Sequence, residues 1–360
     1  MAGSYRWGII GTGGIARAFA KGLRLAPGAS LAAVGSRTAE GAARFARDFR
    51  IPRAHASYEE LAADSQVDIV YVATPHVFHK DGCLLALRHG KAVLCEKPFA
   101  VNAAEAAEVL DLARAKGLFA LEAMWTRFLP AMVKVRELLA AGAVGEPRWL
   151  AADFGFRAPF NPQSRIFNPA LGGGALLDVG VYPVSLASMV FGPPREIQSS
   201  VRLGPTGVDE QESILLGYEG GRMAALSACV VMTTPTEAVI AGDKGILKIH
   251  APFFRSRKLS LGLNKLTGMS EKSMARLRRA ARMVPAVSRL RGRLEGRGGK
   301  AIRMPYPGNG LHFQAVEAMS CLDRGLTESP IMPWSETLSI LETMDRIRAS
   351  WGLVYPGEKV

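Results

Sequence analysis

A short apolar run, Tyr5 to Ile10, breaks at once into Gly11-Thr12-Gly13-Gly14-Ile15-Ala16 and then into a helical pattern. Strand, glycine turn and helix in that order leave few options for the fold. The glycines let the backbone turn sharply and approach a pyrophosphate, and the helix N–H groups and dipole then meet its negative charge. Alone, a GxGxxA pattern is a weak signal. Here the alternation continues through "SLAAVGSR" (30–37), "VDIVYVAT" (67–74), "KAVLCE" (91–96) and "GLFALEA" (117–123), with helical stretches between them. Such βαβ repetition predicts a Rossmann-type doubly wound parallel sheet over residues 1–124 that binds NAD(P).

The pattern changes after about residue 124. "EPRWLAADFGF" (146–156), "REIQSSVRL" (195–203), "ESILLGYEG" (212–220), "RMAALSACVV" (222–231) and "TEAVIAGDKGILKIH" (236–250) read as strands, most of them joined by tight turns. They predict a second, α+β domain over 125–360 built on a largely antiparallel open sheet. Two C-terminal amphipathic helices pack on the rest.

The end of the second strand discriminates between cofactors. An NAD site usually places an acid there, to bind the ribose 2′-OH. This chain has Gly35-Ser36-Arg37. An acid would repel a 2′-phosphate, whereas Ser36 can hydrogen-bond it and Arg37 can add a charge-assisted bond. NADP(H) is therefore expected over NAD(H). The competing reading makes Arg37 a solvated surface residue.

Charge is unevenly spread. Residues 255–303 carry 15 Lys or Arg against two acids, Glu271 and Glu295; the remaining chain has 30 basic and 30 acidic residues. The segment reads as a basic, amphipathic helical insertion, with Leu277, Ala281 and Val284 at helical spacing, a break near Pro285, then Leu290, Leu294 and a flexible "GRGGK". It is a solvated excursion, a contact for an anionic membrane, nucleic acid or acidic partner, or a lid that recruits an anionic substrate. No aromatic residue interleaves its arginines from Met269 to Lys300, so stacking on single-stranded nucleic acid has no support. Cys83, Cys95, Cys229 and Cys321 form no CxxC and read as core residues of a reducing compartment. With no secretory pattern at the start and no apolar run long enough for a bilayer, a cytoplasmic protein is expected.

"CEKPF" (95–99) ends a buried strand on a charged pair and a proline. Ligands bind outside the carboxyl ends of such strands. Together, Gly11 to Ala16, "ATPHVFH" (73–79), "CEKPF" and "GGGALLDVGVYPV" (172–184) resemble the glucose–fructose oxidoreductase, inositol dehydrogenase and MocA family. "LEAMWTRFLPA" (121–131) narrows the likeness to the branch with dihydrodiol dehydrogenase and NADP-dependent D-xylose dehydrogenase. The resemblance covers nearly the whole chain except about 255–303.

It implies an oxidoreductase passing hydride between nicotinamide and a sugar, polyol or vicinal diol, or the matching carbonyl. It places Lys97 beside the nicotinamide and the reacting oxygen. Lys97 serves as a base if its pKa is lowered, or stays charged and polarises a carbonyl. Pro98 has a fixed φ and can take a cis bond. Glu96 orients cofactor and lysine. Asp178 and Tyr182, four apart, share one face if that stretch is helical. Tyr182 is paired with Lys97 for the proton, with its pKa lowered by the lysine, while Asp178 orients substrate or Lys97. Gly172 to Gly174 allow backbone to approach a ligand. Ala73, Thr74, Pro75, His76 and His79 line the cofactor; with no third ligand nearby, the two histidines are not a metal pair. Trp125, Arg127 and Phe128 wall the nicotinamide pocket, with a core role the alternative for Trp125, and Trp125, Arg127 and Phe156 contact the substrate. Arg165 reaches substrate or cofactor, or makes a surface salt bridge. A homodimer or homotetramer through the second sheet is expected. The rival reading is a non-catalytic NADP-binding sensor tethered through the basic segment.

Overall fold

The computed structural model describes residues 3–263, 271–287 and 299–358. Strands β1 (Tyr5–Ile10), β2 (Ala29–Gly35), β3 (Arg53–His55), β4 (Ile69–Val72), β5 (Ala92–Glu96) and β6 (Ala120–Ala123) form a parallel sheet in the order β3-β2-β1-β4-β5-β6. Strands β4, β5 and β6 are buried along their whole length. A parallel sheet covered by helices on both faces demands that, and it explains their apolar reading, broken by Glu96 and Glu122. Helices Ala39–Phe49, Tyr58–Ala63 and Ala103–Lys116 each start on a side-chain cap, with Thr38, Ser57 and Asn102 accepting from the amides of Gly41, Glu60 and Glu105. Such caps contribute about 1 kcal/mol each. The three-residue β3 carries two exposed residues, too short a run to leave an alternating pattern.

A second sheet holds β7 (Pro147–Gly155), β8 (Glu196–Leu203), β9 (Asp209–Gly217), β10 (Met223–Cys229), β11 (Ala238–Gly242), β12 (Gly245–Ile249), β13 (Lys258–Leu263) and β14 (Lys300–Arg303), in the order β14-β13-β12-β11-β7-β10-β9-β8. Every pair is antiparallel except β7 with β10. One face buries Leu150, Ile214, Leu226, Ile240 and Leu247. The other leaves Trp149, Leu215 and Met223 exposed. The fold is thus α/β with a Rossmann sheet and an α+β unit.

Between the sheets lies the helical run Pro169–Phe191, which by length and composition could cross a membrane, with a mean hydropathy of 1.5. Its apolar window is 89% buried within the protein, so its hydropathy reflects core packing. That corrects the expectation that no run is long enough. Helix Trp334–Trp351 packs on the Ala103–Lys116 helix of the first sheet and on helix Val181–Phe191 below the second.

The basic segment is shorter than its charge suggests. Residues 258–263 and 300–303 pair with each other as β13 and β14, so the excursion lies between them. Helix Glu271–Met283 forms, and it stops just before Pro285. Leu290, Leu294 and the start of "GRGGK" lie outside the described residues.

Candidate functional site

The strand order reverses between β1 and β4, and a cleft of about 470 Å³ opens at that end of the sheet. It gathers Gly13, Gly14 and Ile15 from the first turn, Ala73 to His76 and His79 from the segment after β4, Glu96 and Lys97 from the end of β5, then Trp125, Phe156, Arg165, Asp178 and Tyr182. Gly11, Thr12, Ala16, Ser36, Arg37, Arg127 and Phe128 do not line it, and Phe128 packs in the core instead.

The glycine turn fits a dinucleotide. Gly11 has a φ of +103°, and a Cβ there would stand 2.7 Å from the Ala73 carbonyl oxygen. Only glycine allows β1 to close on the strand beside it. Gly13 and Gly14 have open space where a Cβ would be, at the start of helix Gly14–Leu23. Thr74 Oγ1 is buried in the same cleft with no partner among the described residues, leaving a polar group for a ligand to satisfy. Ser36 is buried at the end of β2 and Arg37 is exposed beside it.

Lys97 follows β5 directly and precedes a cis bond to Pro98. Its ammonium donates to the Asp178 backbone carbonyl, lies 3.4 Å from Asp178 Oδ1, and stands 4.9 Å from the centre of the Tyr182 ring. Local chain geometry prepares this contact. Asp178 lies in a π-turn, Leu176–Gly180, that runs into helix Val181–Phe191. In such a turn the Asp178 carbonyl would pair with residue 183. Pro183 has no N–H, and the Lys97 ammonium takes that place. The helical run brings Asp178 and Tyr182 to the same cleft, through a wider turn than the expected α-helix.

Burial acts to lower the Lys97 pKa, but Tyr182, Asp178 and Glu96 outweigh it and the net shift is upward. Lys97 therefore stays an ammonium at neutral pH, which corrects the lowered-pKa base. Asp178 also receives Arg165 Nη1 at 2.8 Å, and its two cations hold it well below the usual carboxylate range against the effect of burial. Burial pushes Tyr182 upward; Lys97 and Trp125 oppose this without reversing it, so the expected fall does not occur. Trp125 Nε1 donates to the Tyr182 hydroxyl at 2.9 Å. An indole N–H only donates, so the phenol accepts and keeps its own proton to give elsewhere.

Several expectations need correction. Arg127 is buried away from the cleft, donating to Ser185 Oγ at 3.0 Å, the Ser185 carbonyl at 2.6 Å and Glu336 at 2.6 Å. It ties the segment after β6 to the C-terminal helices. Glu96 makes no hydrogen bond to the Lys97 ammonium; its carboxylate accepts from the Lys97 backbone amide and from the hydroxyl of Tyr71, a residue buried within β4. On the Lys97 ammonium it acts through charge. The glycines of 172–174 accommodate the protein's own groups rather than a ligand: a Cβ would meet His76 Cβ at Gly172, the Ile166 carbonyl at Gly173 and Asp209 at Gly174. Burial drives His76 down to about 3 and His79 down to about 4. His76 Nδ1 is 3.0 Å from the Gly172 carbonyl, so the neutral ring donates there. Among the described residues no group of side chains could hold a metal.

Sequence reasoning missed Phe154, which lines the cleft, and Phe254, which stacks on it at 4.3 Å with 6° between the planes. Tyr182 packs on both rings, at 5.5 and 5.4 Å. The alternating pattern of β7 is the one signal for Phe154; Phe254 leaves none.

Residues 5–123 match the family model of the NAD-binding Rossmann domain of the Gfo/Idh/MocA oxidoreductases, and residues 132–248 match the C-terminal domain model of that family. Mouse trans-1,2-dihydrobenzene-1,2-diol dehydrogenase is 37% identical, over 98% of this chain and 99% of its own. The human enzyme of that name is 33% identical with the same coverage. A 3-ketoreductase from Actinomadura kijaniata, solved with NADP and TDP-benzene, superposes with a TM-score of 0.78 at 24% identity, over 96% of this chain and 97% of that one. An aldose–aldose oxidoreductase from Caulobacter crescentus, solved with glycerol, gives 0.79 at 22% identity, over 98% of this chain and 99% of that one.

Proposed function

The chain belongs to the Gfo/Idh/MocA family of oxidoreductases, and we propose that it is an NADP-dependent dehydrogenase of vicinal diols or sugars, with Tyr182 moving the proton and Lys97 holding charge. The observation that carries this reading is the Trp125–Tyr182–Lys97–Asp178 chain in the cleft beside the glycine turn.

The bound cofactor would supply or accept hydride at nicotinamide C4. Tyr182 Oη gives its proton to the carbonyl oxygen in reduction and takes it back from the hydroxyl in oxidation. In either direction a phenolate must be stabilised, and the Trp125 N–H and the Lys97 ammonium are placed to do so. Asp178 keeps Lys97 charged and in position, while Arg165 shares the load on Asp178. Gly13 and Gly14 would cradle the pyrophosphate; Ser36 and Arg37 would meet a 2′-phosphate. Support for NADP is the lack of an acid after β2, with Arg37 in no ion pair among the described residues. The aromatic wall of Trp125, Phe154 and Phe156, backed by Phe254, suits the flat apolar face of a cyclic diol or sugar ring.

The test is NADP(H)- and NAD(H)-linked turnover on trans-1,2-dihydrobenzene-1,2-diol and a panel of aldoses, ketoses and dicarbonyls. Lys97→Met should lose roughly 100- to 1,000-fold in turnover and keep its cofactor affinity. Unchanged turnover in that variant would sink the assignment.

A further inference from the structure

Below the glycine run lies a buried acid pair that the chemistry above does not use. Asp209, the first residue of β9, is fully buried, and Glu212 on the same strand is nearly so. Asp209 Oδ2 accepts the Leu176 amide at 2.6 Å, where the π-turn begins. The Ala175 amide also bonds this carboxylate. Asp209 Oδ1 and both Glu212 oxygens receive no N–H or hydroxyl donor among the described residues, and the partner left to them is the other acid when one of the two carries a proton. Burial pushes both acids upward, and each raises the other's cost of ionising, so the pair retains a proton. The groups facing it are Cys229 from β10, Arg348 from helix Trp334–Trp351 and Tyr355 from the C-terminal tail.

Two glycines of the site motif exist to make room for these acids. A Cβ on Gly174, whose φ is +124°, would stand 2.1 Å from Asp209 Oδ1; one on Gly180 would stand 2.8 Å from Glu212 Oε1. The π-turn thus rests on the pair at both ends. It carries Asp178 and leads directly into Tyr182.

We propose that Asp209 is a positioning residue: by holding the Leu176 amide it sets where the π-turn starts, and so where Asp178 and Tyr182 stand against Lys97. The proposal rests on the reading of Lys97 and Tyr182 as the proton-handling pair. Because the contact is an accepted hydrogen bond from a partly protonated pair, an amide can replace the acid and a methyl group cannot.

The experiment compares Asp209→Ala, Asp209→Asn and Lys97→Met in NADP⁺-linked oxidation of trans-1,2-dihydrobenzene-1,2-diol. Tyrosinate absorbance is titrated in parallel, with Tyr182→Phe as the blank; this needs no substrate. Asp209→Ala should lose roughly 100-fold in kcat, the cost of misplacing reacting groups by about 1 Å. It should keep its NADP⁺ affinity within about twofold and raise the Tyr182 titration by about one pH unit as Lys97 moves away. Asp209→Asn should restore both. Should the alanine chain not fold, Asp209→Glu, one methylene longer, should show the same loss in kcat with cofactor affinity kept. A kcat near wild type in Asp209→Ala, an Asn variant as impaired as Ala, or parallel loss of NADP⁺ affinity would overturn the proposal. Full activity in Lys97→Met would instead overturn the reading beneath it.

Discussion

Replacing Trp125 by phenylalanine removes one N–H from the site and little else. The new ring can keep the edge contact that Trp125 makes with Phe254, centred 6.1 Å away. What disappears is the 2.9 Å donation to the Tyr182 hydroxyl. With a neutral phenol that bond is worth about 1 kcal/mol; with the phenolate formed in turnover it is worth about 1.5–3 kcal/mol. The difference falls on the charged form and raises the Tyr182 pKa by roughly one unit. Diol oxidation needs the deprotonated phenol, so on the acid side of the profile kcat should fall by about tenfold. The ascending limb of kcat against pH should move up by the same unit. The assay is NADP⁺ reduction followed by absorbance across the pH range, with saturating diol. A limb at the wild-type pH, with kcat within about twofold throughout, would show that the indole N–H does not hold the reacting oxygen.

Arg37→Ala should raise the NADP⁺ Michaelis constant by roughly tenfold or more, the loss of one charge-assisted bond, and leave that of NAD⁺ unchanged; equal effects on both would remove Arg37 from the 2′-phosphate. Arg127→Met leaves Glu336, whose side chain is only 21% exposed, with the Ser188 hydroxyl but no cation, and should cost about 2–3 kcal/mol in urea unfolding while kcat holds, since a broken buried ion pair is expensive. A kcat loss without a stability loss would return Arg127 to the cleft. Burial raises Glu122 to about 7. Its native state then binds a proton more tightly than the unfolded chain, so stability present below the unfolded pKa is lost as pH rises to about 7. The loss is about 3 kcal/mol. Glu122→Gln, still able to accept from the Phe99 amide, should flatten that decline; an unchanged difference between about pH 5 and about pH 8 would refute it.

What the sequence made legible was local. The glycine turn at 11–16, the strand ending on Lys97 and the run through Asp178 and Tyr182 each announce themselves within a dozen residues, because one element supplies the whole pattern. The hidden parts depend on distant pairings. Arg127 reads as a pocket residue beside Trp125, and only Glu336, from the last helix, shows that it is a tie between elements. Phe254 follows β12 by a few residues yet backs Phe154 of the cleft wall because β11 and β12 fold back beside β7. The pKa of Lys97 turns on a sum of opposing neighbours, which no spacing rule encodes. The edges of the basic segment were misread for a related reason: lysine and arginine at the ends of β13 and β14 look like more of the same charge until the strands pair.

Those same charges bear on how copies of the chain meet. The second sheet ends at β8 on one side and β14 on the other, with Glu196, Arg202, Lys300 and Arg303 exposed along them. A strand approaching either edge meets like-charged or strongly hydrated side chains, which discourages extension of the sheet from molecule to molecule. The flat surface with Trp149, Leu215 and Met223 carries no such guard. A copy docking there by a two-fold axis would cover the same exposed apolar patch on both molecules at once. The guarded edges thus block the one route, strand added to strand, by which a sheet grows without limit.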